Sequence, residues 1–102
     1  MSIKLSIIIP YYKNHNLLIN CVGSIIQQSI KKRIYEIIII NDNPNLKLNK
    51  NKFLCKNMTI INNSRNLGPG LSRNKGIKKS KGEYILFVDS DDLVKSNYLK
   101  MI

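Results

Sequence analysis

Six acidic residues stand in this sequence, and four of them fall in two places: Asp42, and the cluster Asp89, Asp91 and Asp92. Three aspartates within four positions repel one another. Each close pair costs on the order of 1 kcal/mol unless a cation or hydrogen bonds offset it. Carboxylate oxygens are the natural ligands of Mg²⁺ and Mn²⁺, and an ion held by one or two of them completes its shell with water and phosphate oxygens. Asp89-Ser90-Asp91 therefore reads as a landing place for a metal diphosphate. The same residues read equally well as a helix cap, because an aspartate near a helix start accepts backbone N–H bonds and suits the dipole. Asp42 by itself reads first as an Asx-turn residue closing a strand. The two places gain meaning together only if the fold brings them to one edge.

The hydrophobic pattern indicates which elements must do so. Ile3 to Ile9 is a buried, β-branched strand, with Pro10 expected to stop it. A helix capped by Asn14 or Asn16 follows, with Leu17, Leu18, Cys21, Val22, Ile25 and Ile26 at helical spacing and an end near Gln28 and Ser29. Tyr35 to Ile40 carries four consecutive isoleucines, as a strand covered on both faces does, and Asn41 to Pro44 forms a polar turn. Leu46, Leu48 and Phe53 suggest a short helix within 45–56, and Met58 to Ile61 is a third strand. Gly68-Pro69-Gly70 opens a helix to about Lys79 with Leu71 and Ile77 facing inward; Lys81-Gly82 turns the chain into a strand from Tyr84 to Val88. A last helix is expected from about Ser96.

Alternation of this kind predicts a Rossmann-like α/β fold: an open, mainly parallel sheet with helices on both faces and right-handed crossovers. Asp42 and the Asp89–Asp92 cluster then lie just past the carboxyl ends of two strands, the rim where open α/β sheets bind ligands. Glu36 and Glu83 sit at strand starts, at the opposite edge, with structural or solvated roles.

Length and composition bound the rest. A chain of 102 residues holds one small domain. Its net charge of +11 first suggests a nucleic acid or an anionic membrane as partner. The lysines are scattered rather than packed into one arm, so a solvated basic surface is the stronger reading and nucleic acid is not the expected partner. Such a surface still attracts an anionic small molecule. Cys21 and Cys55 lack CxxC spacing and His15 is the sole histidine, which argues against a zinc site. Cys21 falls on the apolar helix face as a buried thiol. No early apolar run is long enough for a signal peptide or a membrane span, and a cytoplasmic location is expected.

Four segments carry a resemblance. Leu5 to Tyr12, reading LSIIIPYY, is similar to the opening strand of family 2 glycosyltransferases, which ends in Pro-any-Tyr. Ile39-Ile40-Asn41-Asp42-Asn43 resembles their second strand and its acidic pair. Asn66-Leu67-Gly68 with Ser72-Arg73-Asn74-Lys75-Gly76 resembles their Asn-x-Gly and Arg-Asn-x-Gly segment, and Gly82 to Asp92 resembles their Gly-Glu-Tyr strand and Asp-x-Asp motif. Any one motif is weak; four in order over nearly all of the chain are strong. The sequence departs from the pattern at Lys13, Asn14 and Asn41.

The resemblance implies a GT-A-type nucleotide-diphospho-sugar transferase fold, with residues 1–102 forming an incomplete donor-binding domain whose acceptor half is missing. It implies a nucleotide-sugar site at Pro10, Tyr12, Asp42, Arg73 and Asp89, with Tyr12 stacking on the base, Asp42 accepting from a base N–H, and Arg73 reaching the nucleotide or tying its loop to the sheet. Asp91 would be the direct ligand of Mn²⁺ or Mg²⁺, with Asp89 contacting the ribose or orienting the metal shell. The implied reaction is inverting sugar transfer from a nucleoside-diphosphate sugar, UDP foremost, to a hydroxyl of a glycan or lipid-linked acceptor in polysaccharide and cell-envelope synthesis. Its catalytic base lies after the metal motif, and peripheral attachment to the inner face of a membrane is compatible with it. The rival readings are a non-catalytic nucleotide-binding remnant and a basic nucleic-acid-binding module. A receiver domain would want an acidic pair where Pro10-Tyr11-Tyr12 stands, and a nucleotidyltransferase would want a glycine-rich loop after the first strand.

Overall fold

The computed structural model describes residues 3–27, 35–50, 53 and 57–92. Its elements run β1 (Leu5–Tyr11), α1 (His15–Ile26), β2 (Tyr35–Asn41), β3 (Met58–Asn62), α2 (Pro69–Lys79) and β4 (Tyr84–Phe87). The four strands form one sheet in the order β3-β2-β1-β4, with every neighbouring pair parallel. The expected last helix near Ser96, and the expected helix end at Gln28 and Ser29, lie outside the described residues.

Successive side chains of a strand point to opposite faces, so a strand in the middle of the sheet needs a cover on each. On one face Leu5, Ile7, Ile9 and Tyr11 of β1 join Ile37 and Ile39 of β2 beneath Leu18, Cys21, Val22 and Ile25 of α1. Those four helical positions follow the i, i+3, i+4, i+7 rule of an amphipathic helix. On the other face Ile8, Ile38 and Ile40 form a smaller cluster, with α2 lying over β1 and β2. Every residue of β2 is buried as a result.

Pro10 does not stop β1. It sits in register opposite Ile40 of β2. The carbonyls of Lys4 and Ile8 accept from β4, whereas that of Tyr11 accepts from Asp42 on the β2 side. Pro10 shares the alternation of Lys4 and Ile8, so its nitrogen faces the β4 side, beyond the last paired residues Ile8 and Phe87. A missing N–H costs nothing where no ladder partner exists.

The inward face of α2 also differs from expectation. Leu71 and Ile77 are exposed, and Ser72 and Gly76 face the sheet instead. A Cβ on Gly76 would come within 2.5 Å of Ile8 Cγ2, so the helix approaches the sheet at a distance only small residues permit. Leu17 of α1 is likewise exposed. Residues 46–49 form no helix, although Leu48 and Phe53 are buried within the main core. No helix among the described residues is long and apolar enough to cross a membrane.

Candidate functional site

The carboxyl ends of β1, β2 and β4 open into one cleft of about 420 Å³. The end of β1 and its exit loop contribute Pro10, Tyr11, Tyr12, Lys13 and Asn14. Asp42 comes from the end of β2, Pro69, Ser72 and Arg73 from the first turns of α2, and Asp89, Ser90 and Asp91 from the loop after β4. All six residues singled out in the sequence (Pro10, Tyr12, Asp42, Arg73, Asp89 and Asp91) therefore line the same cavity, although they come from four segments. The parallel sheet accounts for this, because every strand delivers its carboxyl end to one edge.

Asp42 forms the floor and is 5% exposed. Its Oδ1 accepts from the Leu67 N–H at 2.7 Å and from Asn63 Nδ2 at 2.9 Å, and its Oδ2 accepts from the Gly68 N–H at 2.9 Å. Burial raises its pKa, but the Leu67 N–H, the Asn63 amide, the Gly68 N–H and the Ser72 hydroxyl outweigh burial and hold the carboxyl below its usual value. Lys75 donates to Asn63 Oδ1 at 2.8 Å, so a cation backs the chain of bonds. Asp42 thus anchors the loop that starts α2. A carboxylate has about four lone-pair positions; at least three are taken here, which leaves little for a base N–H. Asn63, Ser72 and Lys75 were not singled out in the sequence, because nothing distinguishes Asn63 from its polar neighbours in 62–66.

Arg73 projects from α2 with its guanidinium 5.9 Å from the centroid of the Phe87 ring, at the end of β4. The contact ties α2 to the strand that carries the acidic loop, while the same side chain lines the cleft. Tyr12 is half exposed at the mouth, with its ring available for stacking.

Asp89, Asp91 and Asp92 are all exposed, and one carboxylate oxygen from each lies within 4.8 Å of the others. Hard oxygen donors at that spacing suit the shell of a divalent cation. The loop is shaped from inside: the Asp92 N–H donates to the Asp89 carbonyl at 3.0 Å, and the buried Cys21 thiol donates to that carbonyl at 3.5 Å. Burial, followed by the charges of Asp92, Asp91 and Asp89, pushes the Cys21 thiol up to about 11, so it stays protonated and keeps its weak donor. The sequence reading found Cys21 buried, but not its contact with the acidic loop.

The opposite edge of the sheet is arranged differently. Glu36 is buried, and its Oε2 accepts from the Ser6 hydroxyl at 2.6 Å and the Lys81 N–H at 2.7 Å, while the Gly82 N–H donates to Ser6 Oγ at 2.8 Å. Of the two readings left open for it, Glu36 takes the structural one; Glu83 is exposed.

The family model for glycosyl transferase family 2 matches residues 6–102. A poly(ribitol-phosphate) beta-glucosyltransferase of Bacillus spizizenii is 43% identical over 101 residues, covering 94% of this chain and 16% of its own length. The poly(ribitol-phosphate) beta-N-acetylglucosaminyltransferase TarP of Staphylococcus aureus is 36% identical over 103 residues, covering 95% and 31%. Among solved structures, S. aureus TarS 1-349 in complex with UDP-GlcNAc superposes with a TM-score of 0.82 at 28% identity, over 97% of this chain and 30% of that one. The chain thus spans about a sixth to a third of the relatives it matches. The superposition gives its sheet and helices the GT-A-type architecture.

Proposed function

The chain belongs to glycosyl transferase family 2, and from that premise we propose that its cleft binds the nucleoside-diphosphate sugar, foremost a UDP-sugar, of a sugar transfer to an acceptor hydroxyl. The observation that carries this reading is the convergence of Pro10, Tyr12, Asp42, Arg73, Asp89 and Asp91 on one cavity. Similarity to a protein solved with UDP-GlcNAc supports it.

In this reading Tyr12 offers its exposed ring to the base. Asp42 holds the wall made by Leu67 and Gly68 and gives the base only the acceptor capacity those donors leave. Asp89 and Asp91 would hold Mn²⁺ or Mg²⁺, with Asp92 beside them, and Arg73, at the Phe87 end of β4, would add fixed positive charge. The ion, when bound, supplies positive charge against the diphosphate as it departs. Transfer proceeds with inversion, and a carboxylate base takes the acceptor's proton. The family resemblance implies that this base comes from the half after the metal motif. Relatives named as poly(ribitol-phosphate) glycosyltransferases support a glycan or polyol-phosphate polymer as the acceptor class. Lipid linkage and work at the cytoplasmic membrane face fit that class.

The test is calorimetric titration of UDP into the purified protein, with and without Mn²⁺, beside an Asp91→Ala variant. Mn²⁺-dependent binding that the variant loses is the expected result. A folded protein that binds no UDP would overturn the proposal and leave the motifs as scaffold.

A further inference from the structure

Residues 43–82 hold ten lysines and arginines and no acidic residue. Part of this stretch builds a second cleft, of about 530 Å³, beside β3 at the outer edge of the sheet. Lys47 and Lys50, both exposed, form its rim, and Leu48, Met58 and Ile60, which pack into the main core, form its wall. Side-chain amides hold the loop that bears the lysines. Asn62 Oδ1 accepts from the Leu48 N–H at 3.0 Å, and Asn62 Nδ2 donates to the Leu48 carbonyl at 3.3 Å. One amide thus pairs with both polar groups of Leu48, as a neighbouring strand would. Asn41 Nδ2 donates to Asn62 Oδ1 at 2.8 Å and to the Leu46 carbonyl. The two lysines therefore stand on an anchored loop, and no acidic residue is among the described residues that line the cleft. Cations gathered without a counter-charge attract an anion. An apolar wall beneath a cationic rim suits a ligand that alternates phosphate charge with aliphatic carbon. No aromatic residue lines the cleft either, so it lacks the stacking platform that single-stranded nucleic acid uses.

We infer that the β3 cleft is a docking site for the phosphodiester backbone of a polyol-phosphate polymer, with Lys47 and Lys50 as its phosphate contacts. The inference rests on the acceptor class proposed above and gives that polymer a foothold in this chain. The site is separate from the donor cleft, with which it shares no lining residue.

Fluorescence anisotropy with a labelled synthetic ribitol-phosphate oligomer tests this. The double variant Lys47→Gln/Lys50→Gln should raise its Kd about tenfold, the loss of two exposed charge contacts. The slope of log affinity against log salt should become shallower by about two. Lys78→Gln/Lys79→Gln removes the same charge from exposed positions at the end of α2 and should change Kd less than about twofold. Asn62→Ala keeps both lysines but releases Leu48, and it should weaken the oligomer about threefold, roughly one hydrogen bond. UDP affinity at saturating Mn²⁺ should be unchanged in the Lys47→Gln/Lys50→Gln variant. Equal losses in the two double variants would overturn the inference and leave only diffuse surface charge. Wild-type affinity in Asn62→Ala would overturn the part given to the anchored loop. A thymidine oligonucleotide of equal charge that binds as tightly as the ribitol-phosphate oligomer would overturn the choice of polymer. A wild-type protein that binds UDP but not the oligomer would overturn this inference alone, whereas one that binds the oligomer but not UDP would overturn the donor-site reading.

Discussion

Replacing Asp42 with alanine should destabilise the protein before it affects any ligand. The carboxylate accepts from the Leu67 N–H at 2.7 Å, the Gly68 N–H at 2.9 Å and the Asn63 amide at 2.9 Å. Hydrogen bonds to a charged group contribute about 1.5–3 kcal/mol each. They do not add fully, and water can reach the half-buried Leu67 and Gly68. Asn63, 3% exposed, keeps only a 3.3 Å contact to Ser72 Oγ for its amide N–H groups. The expected loss for Asp42→Ala is about 3 kcal/mol, a large share of the 5–15 kcal/mol typical of a domain. Asp42→Asn keeps one acceptor oxygen and should lose about half as much. The carboxyl is held below its ordinary value, so its contribution is present above the unfolded aspartate pKa of about 3.9 and is lost as pH falls through the depressed folded value. The stability gap between wild type and Asp42→Asn should therefore be full at pH 7 and narrow below about pH 4. Urea unfolding followed by circular dichroism across pH 3 to 7 measures both. An alanine variant within 1 kcal/mol of wild type that nonetheless loses UDP binding would refute the anchor reasoning and make Asp42 a direct contact.

Three further outcomes are expected. Gly76→Ala gains up to about 1 kcal/mol of helix propensity but drives a methyl to within 2.5 Å of buried Ile8; urea unfolding should show a net loss of about 1–2 kcal/mol. In a Cys55→Ser background, the Cys21 thiol, buried and pushed up to about 11, should react with a disulfide reagent at pH 8 only as fast as the protein unfolds. Arg73→Ala should cost about 0.5–1 kcal/mol through lost contact with the Phe87 ring and weaken UDP binding, whereas Arg73→Lys should recover part of the binding but little of the planar stacking.

The strands were legible because isoleucine runs leave few other structures open, and their alternation with helical patterns placed both aspartate sites on one edge before any coordinates. What escaped the sequence depends on neighbours it does not specify. Pro10 reads as a strand stop until one knows that the strand on its nitrogen side has already ended. Leu71 and Ile77 read as the inward face of α2 because apolar residues usually are. Here the helix lies so close that Ser72 and Gly76 carry the contact, and closeness rewards the smallest side chains. Two of Asp42's partners are backbone N–H groups some 25 residues away, which leave no mark in side-chain identity. Cys21's bond to Asp89 crosses 68 residues for the same reason.

The protein uses its carboxylates in two ways, and that contrast bears on the acidic loop. Glu36 and Asp42 are buried and supplied with donors from the chain itself. A carboxylate that serves the fold is satisfied by the fold. Asp89, Asp91 and Asp92 differ from these two: they stand exposed and close together, on a loop whose backbone is fixed from within by Cys21 and by its own turn. Exposed carboxylate oxygens gathered on a backbone held from within can serve as ligands of a divalent cation. This contrast favours the proposed assignment of the metal to this loop rather than to Asp42, whose oxygens are already engaged.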